Sequence, residues 1–285
     1  MARFDDLGGM ARMHSNVRHL VREPLPVAGA DPGRLAHMIE TQIIPRLMLL
    51  HGEPDRCDPY VPIAQAEVTH FAGLVLTRDT ALGAAYLASL RARGASLEAI
   101  FLSLFAPTAR LLGDLWREDV YSFAEVTIGL SRLQQLLRGL SAPFEELDGT
   151  PPDGRLALLA ATPGEQHSFG LSLVETFLRR AGWEVEVAWG ADERRLKALV
   201  RSESFDLVGF SLSCDVLLEQ LSSTIHAVKQ ASRNRGLKVI VGGRYFTAHP
   251  EMVARVGADA GAVDARDATA QADRLVIAPA ASVPR

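Results

Sequence analysis

The residues Glu165-Gln166-His167-Ser168-Phe169-Gly170 are the stretch whose types and spacing could do chemistry. They follow an apolar run, Leu156-Ala157-Leu158-Leu159-Ala160-Ala161, and precede a helical pattern that begins at Leu171. A histidine on a strand-to-helix loop, with a glycine three residues later, lies at the carboxyl end of a strand, where an open α/β sheet binds its ligand. From that loop His167 can reach a metal or a flat cofactor. Two further positions belong with it. Ser211, with Ser213 just beyond, ends the third predicted strand, and Gly242-Gly243 ends the fourth. All three positions therefore converge on one rim of a parallel sheet. The spacing is regular, with 40 residues between Gly170 and Ser211 and 28 between Ser213 and Gly242.

The elements that must position these residues are legible as alternation. Strands are predicted over 155–161, 183–189, 206–211, 237–241 and 260–263, with helices over 171–181, 193–201 and 216–230 between them. Such alternation implies a five-stranded parallel sheet with right-handed crossovers and helices on both faces. Before Gly149-Thr150-Pro151-Pro152-Asp153-Gly154, a linker by composition, the pattern is different. Helices are predicted from Gly33 (with Leu35, Ile39, Ile43, Leu47 and Leu50 on one stripe), over 62–76 and 80–91, from Ser96 to Trp116, and from Ser122 towards Glu146. Ser122-Phe123-Ala124-Glu125 fits a capping box. The predicted organisation is an arm over 1–32, a helical bundle over 33–148, a Rossmann-like, flavodoxin-like α/β domain over 155–270 and a loose tail over 271–285.

The three rim elements together resemble the cobalamin-binding domain family, whose pattern is Asp-x-His-x-x-Gly, then Ser-x-Leu, then Gly-Gly at these separations. The resemblance covers the second half of the chain, and a helical bundle commonly precedes that domain. It implies cobalamin as cofactor and His167 as the lower axial ligand of cobalt, displacing the cofactor's dimethylbenzimidazole base into a groove beside the sheet. Gly242 and Gly243 would then form the groove wall, where glycine lets backbone approach closely. Gly170 would clear the corrin, Ser211 would lie beside the buried tail, and Glu165 would orient the imidazole. Glutamate stands where the family has aspartate, one methylene longer, and Ser213 stands where it has leucine. The glutamate form also occurs in light-sensing cobalamin proteins, which implies a sensor more than a methyl carrier.

Two resemblances lie in the bundle. Trp116 to Thr127 is similar to the segment that covers the upper face of cobalamin in CarH-type photoreceptors, which implies Trp116 as a cap. There a Glu-His pair follows the tryptophan after nine residues; here Val126-Thr127 stands in its place, so no upper protein ligand is expected. Ile39-Glu40-Thr41-Gln42-Ile43-Ile44-Pro45-Arg46-Leu47, with the order of domains, resembles the AerR/PpaA antirepressors of purple bacteria. That resemblance implies a tetrapyrrole-binding protein, not an enzyme, that acts on photosynthesis genes through a DNA-binding transcriptional repressor. A corrinoid carrier of a methyltransferase system and a sensor of non-covalently held haem are the alternatives. No CxxCH attachment motif is present.

Composition bounds these readings. The chain has 285 residues and a formal charge of -4, which offers no global attraction to nucleic acid or an acidic membrane. No helix-turn-helix or zinc-finger pattern appears, so direct nucleic-acid binding is not expected. No signal-like start and no run approaching a membrane span is found, and the two cysteines, Cys57 and Cys214, form no pair motif. A soluble, cytoplasmic protein with free thiols is expected. His14, His19, His37, His51, His70, His226 and His249 show no metal spacing. Lys229, Arg233, Arg235, Lys238 and Arg244 read as a solvated basic face, with an anionic cofactor tail or partner as the other reading.

Overall fold

The computed structural model describes residues 62–77, 79–147 and 149–277. The arm, the helix predicted from Gly33, the segment Ile39 to Leu47 and Cys57 all lie outside them, as do the last eight residues of the tail. The described chain starts with a bundle: α1 (Gln65–Leu76), α2 (Ala81–Ala92), a helical run α3 (Leu97–Arg117) and α4 (Phe123–Glu146). Local chemistry sets their starts. The Ser96 hydroxyl accepts from Ala99 N–H, and Ser122 and Glu125 form the reciprocal capping box expected of them.

The α3 run is not a regular helix throughout. A single α turn, Leu97–Ala99, passes into a π-helical stretch, Ile100–Phe105, before the regular helix Ala106–Arg117. The Ala106 N–H reaches back to Phe101 O, and Pro107, which follows, has no N–H to give. This run is long and apolar enough to cross a bilayer by length and composition, contrary to the sequence expectation. The fold employs that apolarity otherwise: Ile100, Phe101, Leu104, Phe105 and Leu112 are fully buried in the bundle core.

The second half is α/β, with β1 (Leu156–Ala161), α5 (Phe169–Arg180), β2 (Glu184–Ala188), α6 (Glu193–Ser202), β3 (Leu207–Ser211), α7 (Leu218–Ala231), β4 (Lys238–Gly242), α8 (Arg244–Ala248), α9 (Met252–Arg255), β5 (Ala260–Ala262) and α10 (Ala265–Leu275). The five strands are parallel and ordered β2-β1-β3-β4-β5, the flavodoxin-like order, with its switch point between β1 and β3. β1, flanked by β2 and β3, is buried on both sides, which is why it reads as a continuous apolar run. Leu171 and Leu178 of α5 and Ala268 and Ala272 of α10 pack on one face of the sheet. Leu196 of α6 and Leu221, Ile225 and Val228 of α7 pack on the other.

Two sequence expectations change here. The tail predicted from 271 starts later, because α10 continues to Leu275. The reason is a buried charge network: the Arg155 side chain, 8% exposed, pairs with Asp153 and Asp273 at 2.6 Å each and stacks over Trp183, whose indole N–H also donates to Asp273. A buried guanidinium needs those carboxylates, so the last turn of α10 is held in place. The linker is likewise tied down, with Thr150 N–H donating to Arg180 O and Asp153 N–H to Gly182 O. The bundle packs on the outer side of α5. Phe177 lies 4.9 Å from Phe144 and 6.4 Å from Phe101 between ring centroids, and with Leu173 it belongs to the bundle's own core.

Candidate functional site

The loop after β1 is built around Glu165. Its N–H donates to Thr162 O, and Thr162 in turn donates through both N–H and Oγ1 to Ser211 O, so the ends of β1 and β3 are fastened together. The Glu165 side chain is only 4% exposed. Its Oε1 accepts from the N–H groups of Gln166 (2.9 Å) and His167 (3.0 Å) and from His167 Nδ1 (2.5 Å). Its Oε2 accepts from Ser213 N–H at 2.8 Å. One carboxylate thus spans the switch point, joining the β1 loop to the β3 loop.

Burial alone would push the Glu165 carboxyl up, but the hydrogen bonds from the His167 side chain and backbone and from Ser213 N–H hold it down at about 2. It is therefore an acceptor only, and Nδ1 of His167 must carry the proton it shares. That leaves the lone pair on Nε2, on a side chain 64% exposed at the rim. The bond to Glu165 raises the imidazole's pKa, while burial and the nearby Arg117 charge oppose it. A neutral imidazole whose far nitrogen is held by a carboxylate is the arrangement that metal-ligating histidines use. Among the described residues, no group of three or more His, Cys, Asp or Glu side chains is arranged to hold a metal.

The other predicted residues fall along the same edge. In register, Ala161, Ser211, Gly242 and Ala262 stand side by side at the carboxyl ends of β1, β3, β4 and β5, a shelf of small side chains. Gly243 follows with φ +97, and a Cβ there would stand 2.5 Å from Leu212 O, so this position requires glycine. Gly170 at the start of α5 is exposed, with nothing within 4 Å of where a Cβ would point. Ser213 takes part through its backbone N–H, which is why serine can stand where the family has leucine.

Trp116, at the end of α3, is 41% exposed and meets Phe123, itself 63% exposed, edge-on at 5.9 Å. With Val120 they form an exposed apolar corner of the bundle. That corner is on the site's side, because neighbouring residues reach the rim. Arg117 acts electrostatically on His167, and Asp114 Oδ1 accepts from Arg244, just after Gly243, at 2.7 Å. Arg117, Val120 and Phe123 lie within the stretch singled out from the sequence, which named only Trp116 as a cap, while Asp114 was missed; a polar pair 130 residues apart leaves no local pattern to find. Val126 is buried, so it does not reach the site, and the Thr127 hydroxyl donates back to Phe123 O on the exposed face of α4. A groove of about 710 Å³ lined by Pro163, Asp192, Arg194, Leu217 and Gln220 opens on the other side of the loop and includes none of the predicted residues.

Residues 155–272 match the family described as the B12 binding domain. A Rhodobacter capsulatus protein, named only as an uncharacterized 20.5 kDa protein in the bchF-crtJ intergenic region, is 30% identical over 169 residues, which is 59% of this chain and 88% of that one. The dimethylamine corrinoid protein of Methanosarcina barkeri is 29% identical over 114 residues, 40% of this chain and 53% of its own, so this chain spans about half of that relative. The solved monomethylamine corrinoid protein of Methanosarcina barkeri superposes with a TM-score of 0.62 at 15% identity, over 75% of this chain and all of that one, a likeness of fold. The site's residues fit a corrinoid: a carboxylate-held imidazole with Nε2 free, open space over Gly170, the small-residue shelf, and an apolar corner on the bundle.

Proposed function

The chain belongs to the B12-binding family and takes a corrinoid, and from that premise we propose that it is a cobalamin-responsive regulator, not an enzyme, which works in the cytoplasm by binding a DNA-bound transcriptional repressor. His167 would hold the cobalt through Nε2, and Glu165 keeps the ring in the tautomer that leaves this nitrogen's lone pair available. Gly170 leaves the helix start clear, while the shelf of Ser211 and Gly242, with Gly243, accommodates the displaced tail. Trp116, Val120 and Phe123 would give a bound corrinoid an apolar cover and exclude water from it. When bound, the corrinoid supplies a cobalt centre whose upper ligand can change with light or supply.

The observation that carries a regulatory reading is the contact of both halves of the chain with one rim. The Asp114–Arg244 pair and the Arg117 charge bring the bundle to the same edge that holds His167. A ligand at that edge touches both halves, and it shifts their packing to the extent that it binds one arrangement better. The relative between bchF and crtJ, in a photosynthesis gene cluster, supports a role in controlling such genes.

The test uses the full chain and a repressor candidate from the same gene neighbourhood. Repressor affinity is measured with and without hydroxocobalamin, in dark and light, for wild type and His167→Ala. A corrinoid-dependent change lost in the variant is expected; equal affinities throughout would sink the regulatory reading. The second reading, a methyl-carrying corrinoid protein, is favoured by the likeness to the dimethylamine corrinoid protein. It predicts cobalt methylation by a partner methyltransferase and no effect on a repressor. The visible spectrum of the loaded protein separates both from haem.

A further inference from the structure

We propose that Arg244 receives the phosphodiester of the corrinoid's nucleotide tail, and that Asp114 of the bundle occupies its guanidinium until the tail arrives. The proposal rests on corrinoid occupancy of the rim and goes beyond it, since it assigns a tail-binding residue and a link from the tail to the bundle.

Position is the first argument. Arg244 directly follows Gly242-Gly243, where the displaced tail is expected. Its backbone is fixed on both sides: Gly243 is pressed against Leu212, and Tyr245 N–H donates to Leu212 O at 3.2 Å. The side chain is free of that constraint and is 56% exposed at the rim.

Charge is the second. The phosphodiester is the one fixed negative charge of a cobalamin tail at neutral pH, and a guanidinium matches its oxygens with paired N–H donors. Arg244 is the one lysine or arginine between Gly242 and His249.

The third argument is the partner Arg244 has already. Asp114 Oδ1 accepts from it at 2.7 Å, with the carboxylate 38% exposed, and the same oxygen also accepts from Arg117. Exposed pairs of this kind stabilise only weakly, so a phosphate displaces the carboxylate with little opposition. Asp114 keeps Arg117 when Arg244 leaves, and no charge is stranded. Tail binding therefore removes one bond between bundle and sheet two residues from Trp116.

The experiment is a ligand-by-variant comparison read by absorbance titration. Wild type, Arg244→Ala, Arg244→Lys and Asp114→Asn are each titrated with hydroxocobalamin and with cobinamide, which lacks the phosphodiester and the base. Arg244→Ala is expected to weaken hydroxocobalamin by about tenfold and to leave cobinamide within about twofold, with Arg244→Lys between. Asp114→Asn is expected to tighten hydroxocobalamin by about twofold to fivefold without affecting cobinamide. Retained cobinamide binding shows that each variant is folded. An Arg244→Ala that weakens both ligands equally, or neither, overturns the proposal while leaving corrinoid binding standing. Failure of wild type to bind either corrinoid overturns both together.

Discussion

Glu165 is one methylene longer than the aspartate it replaces, and the fold uses the extra length. Oε1 turns back to the imidazole at 2.5 Å while Oε2 reaches Ser213 N–H at 2.8 Å, so a single side chain orients the ligand and spans two loops. The pH dependence follows. Ligation needs a neutral Nε2, and protons compete for it. Because Glu165 raises the His167 pKa, protons would compete with cobalt for Nε2 more strongly than at an unassisted imidazole, and ligation by His167 would weaken as pH falls. Glu165→Gln removes the carboxylate's pull, so the midpoint for loss of the His-ligated spectrum is expected to move down. A midpoint that stays or moves up would contradict the pairing. The depressed carboxyl also stabilises the fold above its unfolded pKa near 4.5, by on the order of 2–3 kcal/mol, and that contribution is lost as pH falls towards about 2.

At the scale of elements, the rim exists because parallel strands end together and their loops are stitched side by side. Thr162 binds Ser211 O, Leu212 N–H binds Gly242 O, and Tyr245 N–H binds Leu212 O, which makes one continuous seam from β1 to β4. Gly243 is its tightest point. Gly243→Ala places a Cβ 2.5 Å from Leu212 O at φ +97, and a loss of about 2–3 kcal/mol is expected in urea or thermal unfolding. An unchanged midpoint would mean that the seam relaxes without cost. The bundle's contribution to the rim comes from a corner, where α3 ends at Arg117 and α4 begins at Phe123. The capping box that starts α4 sets that corner, so Phe123 and Trp116 meet there for a reason written in Ser122 and Glu125.

For the molecule as a whole, the bundle's hydrophobic core extends onto the α/β half and takes in the outer face of α5. Phe177 and Leu173 point away from the sheet into the bundle, and Glu98 pairs with both Arg180 and Arg266 across the same boundary. Heat should therefore unfold both halves in a single calorimetric transition. Phe177→Ala is expected to lower the stability of that transition by about 3–5 kcal/mol. Two resolved transitions, with only one moved by the variant, would show that the halves are independent. A change in their packing would have to work against this buried contact, which limits it to a small rearrangement at the rim and not a free swing of the bundle.

Periodicity and loop chemistry settled in advance what depends on near neighbours: five parallel strands, the helices between them, the Ser96 and Ser122 caps, and His167 at a strand end with Glu165 two residues away. Hydrophobic period and hydrogen-bonding residue type carry that information within a few positions, and the resemblance supplied the rest of the motif. Tertiary structure alone decided that Glu165 also holds Ser213, that Arg244 meets Asp114, and that Asp273 keeps α10 helical past residue 270. It also decided that an apolar run long enough for a bilayer is buried inside the bundle. These contacts join residues 48, 130 and 118 positions apart. Each is set by where the fold places two side chains, a quantity that no local pattern of residue types contains.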